Sequence, residues 1–171
     1  KQEYVWQNTY AISTRMLGVM FAVHSDSKGL IIPPRIAKNK IVIIPIFFKE
    51  DREKVLREAK KIQTLLKEYN PILDDREEYK PGWKFNEYEL KGIPLRIEIG
   101  KRDIEKKKII AVRRDTGKKE EIKINSIKKE MPKILEDIQK YLFKKSEKLF
   151  KEKVERAENL NSLIKIIENK K

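Results

Sequence analysis

Hydrophobic and polar positions change rhythm several times along this chain. IVIIPIFF, from Ile41 to Phe48, is a continuous apolar run of strand length, the pattern expected of a strand covered on both faces. KEDREKVLREAKKIQTLLKEY follows, with Val55, Leu56, Ala59, Ile62, Leu65, Leu66 and Tyr69 recurring at three- and four-residue intervals. Acids lead its first turn and Pro71 stands just beyond its end, so the spacing predicts an amphipathic helix of about five turns. NPILDDR, from Asn70 to Arg76, reads as a short strand ending in polar residues, and the chain then loops to Pro81 and Gly82. In PLRIEIG, Leu95, Ile97 and Ile99 alternate with Arg96 and Glu98, the period of a strand with one apolar face. IIAVRRDTGKKEEIKI reads as two strands joined by a turn at Asp115, Thr116 and Gly117. From about Ser126 a long helix carries Ile127, Met131, Ile134, Leu135, Ile138 and Leu142 on one stripe. It runs on into Lys/Glu-rich sequence with weaker Leu149, Phe150 and Val154 signals, and a last short amphipathic segment uses Leu160, Leu163, Ile164 and Ile167.

The order strand, helix, strand, loop, strands, helix predicts a small α/β domain over residues 40 to 145, built on a mixed or largely parallel sheet. Residues 1 to 37 are different in kind: a polar start, then MLGVMFAV (Met16 to Val23), a turn in HSDSKG, and LIIPPRIA (Leu30 to Ala37), whose double proline ends a strand and reads as a linker. The chain opens on Lys in the middle of an apparent element, so a fragment of something larger is expected. No apolar run exceeds strand length and IVIIPIFF is broken by Pro45, so neither a signal peptide nor a membrane span is read, and a soluble intracellular protein is expected.

Charge sharpens this picture. Lys plus Arg total 41 against 27 Asp plus Glu, a formal net charge of +14, which favours a polyanionic partner. A solvated surface laced with ion pairs, as in heat-adapted proteins, would raise both signs together, whereas the excess here is one-sided. The absence of cysteine excludes disulfides, thiolate zinc sites and a Cys nucleophile within the chain. The one histidine, His24, leaves no imidazole cluster for a metal, and a structural hydrogen bond is expected of it at its turn. Asp74, Asp75, Glu77 and Glu78 surround Arg76, but their spacing is that of an acidic loop as much as of a catalytic pair, and no phosphate-cradling glycine pattern opens a helix. The chain thus reads as a binding module.

PGWKFNEYELKGIPLRIEIGKRD, from Pro81 to Asp103, sets Trp83, Phe85 and Tyr88 beside charges of both signs. Single-stranded RNA is held by aromatic platforms, by cations at phosphates and by paired donors and acceptors at base edges, and this stretch has all three. Its acids are informative, because a carboxylate cannot serve a phosphate but accepts from guanine's ring nitrogen and amino group. The aromatics are equally compatible with core packing. Arg96 and Glu98 share the non-apolar face of their strand, so at least one is expected to point at solvent or ligand.

TYAISTR (Thr9 to Arg15), HSDSKGLIIPPRIA, DDR (Asp74 to Arg76), the Pro81 to Asp103 stretch and VRRDTG (Val112 to Gly117) together resemble the prolyl-tRNA synthetases of archaeal and eukaryotic type, in order and spacing over nearly the whole chain. The resemblance implies an α/β fold: a five-stranded mixed sheet with flanking helices, the anticodon-binding domain of class II synthetases, over residues 38 to 150. It implies that residues 1 to 37 are the last strands and helix of the catalytic domain, with its third signature motif, and that 151 to 171 begin a C-terminal extension. Arg15 falls on the motif's arginine, which contacts ATP phosphates in such enzymes, and Ser13, Thr14 and Asn8 lie beside it, with Gln7 and Thr9 on the same approach. Tyr10 stands where Trp is usual and Ala11 where Gly is usual.

In the anticodon domain the resemblance assigns Glu89, Arg96, Arg102, Asp103 and Lys118 to the two guanines shared by proline anticodons. Glu89 and Asp103 would accept from guanine edges, and the cations would serve acceptor atoms or phosphates. Phe85 and Trp83 are left open between stacking and packing. The implied parent is a cytoplasmic, homodimeric proline-tRNA ligase using ATP, Mg2+, proline and proline tRNA. Its other motifs and proline pocket would lie upstream, so this fragment alone is not expected to be active; no metal is assigned to it, and zinc is implied only for a domain beyond residue 171. Two other classes fit the composition: a freestanding basic RNA-binding module without catalysis, and a heat-adapted interaction scaffold.

Overall fold

Thr14–Val23 forms helix α1, and Ser25–Asp26 (β1) pairs antiparallel with Gly29–Leu30 (β2) in the computed structural model, which describes residues 3–169. Next come β3 (Ile41–Ile46), α2 (Arg52–Leu65), β4 (Ile72–Leu73), α3 (Pro81–Lys91), β5 (Leu95–Gly100) and α4 (Lys101–Glu105). β6 (Lys108–Arg113), β7 (Lys119–Lys123), α5 (Ile127–Lys153) and α6 (Leu160–Glu168) complete the chain. The sheet has five strands in the order β4-β3-β5-β6-β7, with β3 parallel to β4 and β5, and β6 antiparallel to both β5 and β7. It is the mixed sheet that the strand and helix order predicts. Among the described residues no helix is long and apolar enough to cross a membrane.

One face of the sheet carries Ile41, Ile43, Leu95, Ile97, Ile99, Ile109, Ala111 and Ile122 against Ile62 and Leu66 of the α2 segment and the apolar stripe of α5, from Ile127 to Leu142. On the other face Val42 and Ile44 meet Tyr88 and Phe85 of α3. α3 covers β3, and the β7 residues Lys119 and Glu121 remain exposed. Pro45 is tolerated in β3 because β4 is short. The Ile43 carbonyl accepts from the Asp74 amide, and Pro45, two residues on, faces the same side beyond the end of β4, where an amide would have no partner.

Residues 81–91 depart from the expected loop: they form α3. Pro81 stands at its first position, where its fixed φ suits a helix and its missing donor costs nothing, and Gly92 closes it in the left-handed region at φ 74°. Lys84 and Tyr88 supply its buried face. Gly92 also admits the hairpin: a Cβ there would lie 2.7 Å from Leu30 backbone, and one on Gly29 (φ 126°) would lie 2.7 Å from the Leu90 Cα. The double-proline segment is docked, not free, with Pro33 and Pro34 buried. The Arg35 amide donates to Gln139 Oε1 at 3.1 Å and its guanidinium to Glu136 at 3.2 Å, both on α5. At His24 the backbone makes the turn's hydrogen bonds, to Met20 and from Ile31, while the ring's buried Nδ1 has none, so the bond expected of the side chain is made by the main chain.

Candidate nucleic-acid interface

Alternation along β5 sends Leu95, Ile97 and Ile99 into the α5 side of the core and Arg96 and Glu98 to the α3 side. Both charged residues are buried, at 8% and 4% exposure. The expectation that at least one faces solvent gives way to pairing. Arg96 Nε donates to Glu98 Oε1 at 3.0 Å and Nη1 to Glu89 Oε1 at 3.0 Å, while the guanidinium lies over the Phe85 ring, 4.2 Å from its centroid. The second oxygens of the two acids reach outward, Glu89 Oε2 to Lys28 Nζ at 3.5 Å and Glu98 Oε2 to Lys119 Nζ at 3.6 Å. Lys28, Glu89, Arg96, Glu98 and Lys119 form one line of alternating charge. Buried ions persist only when paired in this way. Burial pushes the Glu89 carboxyl up, but the hydrogen bond from Arg96 and the charge of Lys28 outweigh it, leaving it below the usual range and ionised at neutral pH.

Two carboxylate acceptors, a planar fork of donors and an aromatic ring therefore meet at one place, which is the set of groups that reads base edges. Phe85 belongs to this cluster and packs on it. Trp83 is half exposed and packs elsewhere.

The other residues assigned to the anticodon are spread along the sheet. Arg102 is exposed in the first turn of α4, just past the end of β5. Asp103 beside it accepts from the Gly100 amide at 2.8 Å, closing the turn between strand and helix with one of its oxygens. Lys118 is exposed in the turn before β7, with Nζ 2.9 Å from Glu120. Its carbonyl accepts from Arg113, the residue opposite Leu95, so it lies at the far end of β5 from Arg102, about 20 Å away along the strand. Glu89 and Arg96 are thus in contact, while Arg102 with Asp103 and Lys118 mark two ends.

At the N-terminal side, Asn8 precedes α1, and Ser13, Thr14 and Arg15 lie at its first turn, all exposed. Hydroxyls, a guanidinium fork and backbone amides at a helix start are all donors, a set suited to phosphate oxygens. Gln7 and Thr9 are exposed alongside Asn8. Among the described residues no group of three or more His, Cys, Asp or Glu is placed to hold a metal. Asp74 is structural: it is buried, accepts from Arg76 at 2.9 and 2.7 Å, and sits beside the buried Lys84.

Lys28 and Arg114 belong to the site without any local mark in the sequence, whereas Glu98 is marked there only by sharing the polar face of its strand with Arg96. Arg114 is buried, donates to both oxygens of Asp26 at 2.8 and 2.7 Å, and donates from Nε to the Glu89 carbonyl at 2.8 Å. It therefore fastens the hairpin and α3 together behind the charge line.

Residues 40–134 match the family model described as anticodon binding domain, and the chain belongs to that family. Over its whole length it is 41% identical to a protein named proline-tRNA ligase from Natranaerobius thermophilus, of which it covers 36%. It is 42% identical to proline-tRNA ligase 2 of Bacillus thuringiensis, covering 34% of that protein. A putative proline-tRNA ligase of Saccharomyces cerevisiae is 42% identical over 86% of the chain, which covers 22% of it. The chain spans about a third of the length of the first two of these relatives.

Proposed function

We propose that this chain is the anticodon-holding portion of a proline-tRNA ligase together with the end of its catalytic domain. Residues 1–37 would be the catalytic tail, 38–150 the anticodon-binding domain and 151–171 the start of a C-terminal extension. The observation that carries this reading is the contact of Glu89, Arg96 and Phe85. A carboxylate held ionised by a buried guanidinium is a fixed acceptor, and it would take the ring N–H and amino group of an anticodon guanine in place of Lys28. Arg96 would keep that carboxylate aimed and offer its remaining donors to base oxygens, with Glu98 holding Arg96 in turn. Arg102, Asp103 and Lys118, at the two ends of β5, would contact the flanking bases and phosphates.

For the parent enzyme, Arg15, with Ser13, Thr14 and Asn8, would bind the phosphates of ATP, offsetting charge as proline is activated. ATP with Mg2+ would supply the leaving group of that activation. Proline, proline tRNA, a homodimeric parent and a cytoplasmic setting belong to the same reading.

The test uses the full-length enzyme. Glu89→Ala should raise KM for proline tRNA while proline-dependent exchange between ATP and pyrophosphate continues, and Arg15→Ala should abolish that exchange. Unchanged tRNA kinetics in the first variant would remove the anticodon assignment, and normal exchange in the second would remove the ATP assignment.

A further inference from the structure

α3 carries a second arginine, aromatic and glutamate group, and the function proposed above leaves it unused. On one flank of the helix Arg96 lies over Phe85 and pairs with Glu89. On another flank Arg76 lies over two rings, 4.9 Å from the Tyr79 centroid and 5.5 Å from that of Trp83, and pairs with Glu87. Tyr79 and Trp83 are themselves stacked, with centroids 4.0 Å apart and planes 15° from parallel. Arg76 is held from below by Asp74, in hydrogen bonds of 2.9 and 2.7 Å. Each ring is therefore held by its neighbour and by the Arg76 guanidinium, yet Trp83 is 46% exposed and Tyr79 36%.

Large aromatics contribute most when buried, and this fold instead holds a stacked pair at the surface with its conformational freedom already spent. Beside Tyr79 lies a cleft of about 440 Å³ whose lining includes Phe47, Arg52, Lys80 and Lys84 together with the acids Glu77 and Glu78. Arg52 is paired with Glu77, Lys84 is buried on the Asp74 carbonyl at 3.0 Å, and Lys80 is exposed at the rim. An aromatic face held in place, with Lys80 exposed at its rim and on a chain of net charge +14, is the arrangement that stacks unpaired nucleic-acid bases.

We propose that the Tyr79 and Trp83 pair is a stacking platform for one unpaired base of the bound RNA, distinct from the bases read at Glu89 and Arg96. The proposal rests on the RNA-binding function proposed above. Trp83 precedes Glu89 by six residues, about 9 Å of helix rise, so both belong to one rigid element and can engage one RNA loop together. Every base presents a π-face, so the platform adds affinity without sequence preference, while the carboxylate cluster supplies the preference.

The test uses the whole chain and a proline anticodon stem-loop with 2-aminopurine placed, one position at a time, at loop sites other than the two guanines. Binding to the unsubstituted chain should quench one position. That quenching should disappear in Trp83→Ala and persist in Trp83→Phe. Affinity should fall about 5- to 160-fold in Trp83→Ala, whatever base occupies the position. An abasic site there should weaken binding similarly, and should add nothing in the variant. Should Trp83→Ala not fold, the abasic site against the unsubstituted chain decides by the same fall. Wild-type affinity in Trp83→Ala, or no loop position responding, overturns the platform, as does stacking of a free nucleotide or peptide there without RNA preference. If Glu89→Ala weakens binding while Trp83→Ala does not, the platform alone fails. If neither Glu89→Ala nor replacement of the guanines matters, the anticodon reading fails by itself.

Discussion

Arg114 and Asp26, 88 residues apart in the chain, meet in a two-pronged ion pair at 2.8 and 2.7 Å. The same guanidinium holds the Glu89 carbonyl, and Lys28 of the hairpin reaches the Glu89 carboxylate. The hairpin that follows α1, and with it Arg15, is thereby tied to the residue proposed to read the anticodon. Asp26→Asn should release it. Because Arg114 is buried while Asp26 is about one-third exposed, the expected loss is about 1–2 kcal/mol, between the values for surface and buried pairs. Hydrogen exchange at the Ile31 and Ile32 amides, which bond to His24 and Gly92, should accelerate while the β5 amides stay protected.

Acid should weaken the fold in a defined window. Asp26 is held at about 2, chiefly by hydrogen bonds from Arg114. Asp74 is also held at about 2: burial pushes it up, and the hydrogen bonds from Arg76 with the charge of Lys84 more than reverse that. Both carboxyls bind a proton less readily folded than unfolded. Their stabilisation is therefore complete above the ordinary carboxylate range, near pH 4, and is lost as pH falls from there towards 2. Urea midpoints between pH 2 and 6 should drop across that window, and Asp74→Asn should flatten part of the drop.

Gly92→Ala tests the close approach of hairpin and helix. The new methyl would sit 2.7 Å from Leu30 backbone at a φ of 74°, and neither the turn nor the strand can yield without breaking the bond from Ile32 to the Gly92 carbonyl. A loss of about 1–3 kcal/mol in urea unfolding is expected. Gly82→Ala, with open space around it, should fall within about 0.5 kcal/mol of the parent.

Glu98→Gln keeps the shape of the side chain and removes its charge. Arg96 then keeps one ionised partner, Glu89, and a weaker neutral acceptor at position 98, so its guanidinium is freer to leave Phe85. RNA affinity should fall less than in Glu89→Ala, but discrimination between guanine and adenine should narrow. A titration series with both loop sequences measures the two quantities separately, and equal discrimination in the variant would show that Arg96 needs no such support.

Most of the sheet was legible because its strands are apolar on the α5 side: IVIIPIFF and Leu95, Ile97, Ile99 declare themselves by run and by alternation. α3 was not, although Pro81 and Gly92 stand at the two positions that favour those residues at helix ends. Its buried face uses Lys84 and Tyr88 in place of aliphatic residues, so the helical period is masked. The same masking applies to Arg96 and Glu98. Polar residues on an alternating strand read as solvent-facing, and only the tertiary fold brings Glu89 and Phe85 over them. Lys28 and Arg114 were invisible as site residues because their partners are distant in sequence. Glu89, Arg96, Arg102, Asp103 and Lys118 came from family resemblance, and the fold brings only the first two into mutual contact.

Whether Glu89, supported by Arg96, reads a guanine is decided by one binding measurement. The dissociation constant of this chain for a proline anticodon stem-loop is compared with that for the same loop carrying adenine at each guanine in turn, in the parent and in Glu89→Ala. One replacement should cost the parent about 1–3 kcal/mol and cost the Glu89→Ala variant almost nothing, because the contact is already gone. Equal affinity of the parent for guanine and adenine loops, or undiminished discrimination in the variant, would contradict this role of Glu89.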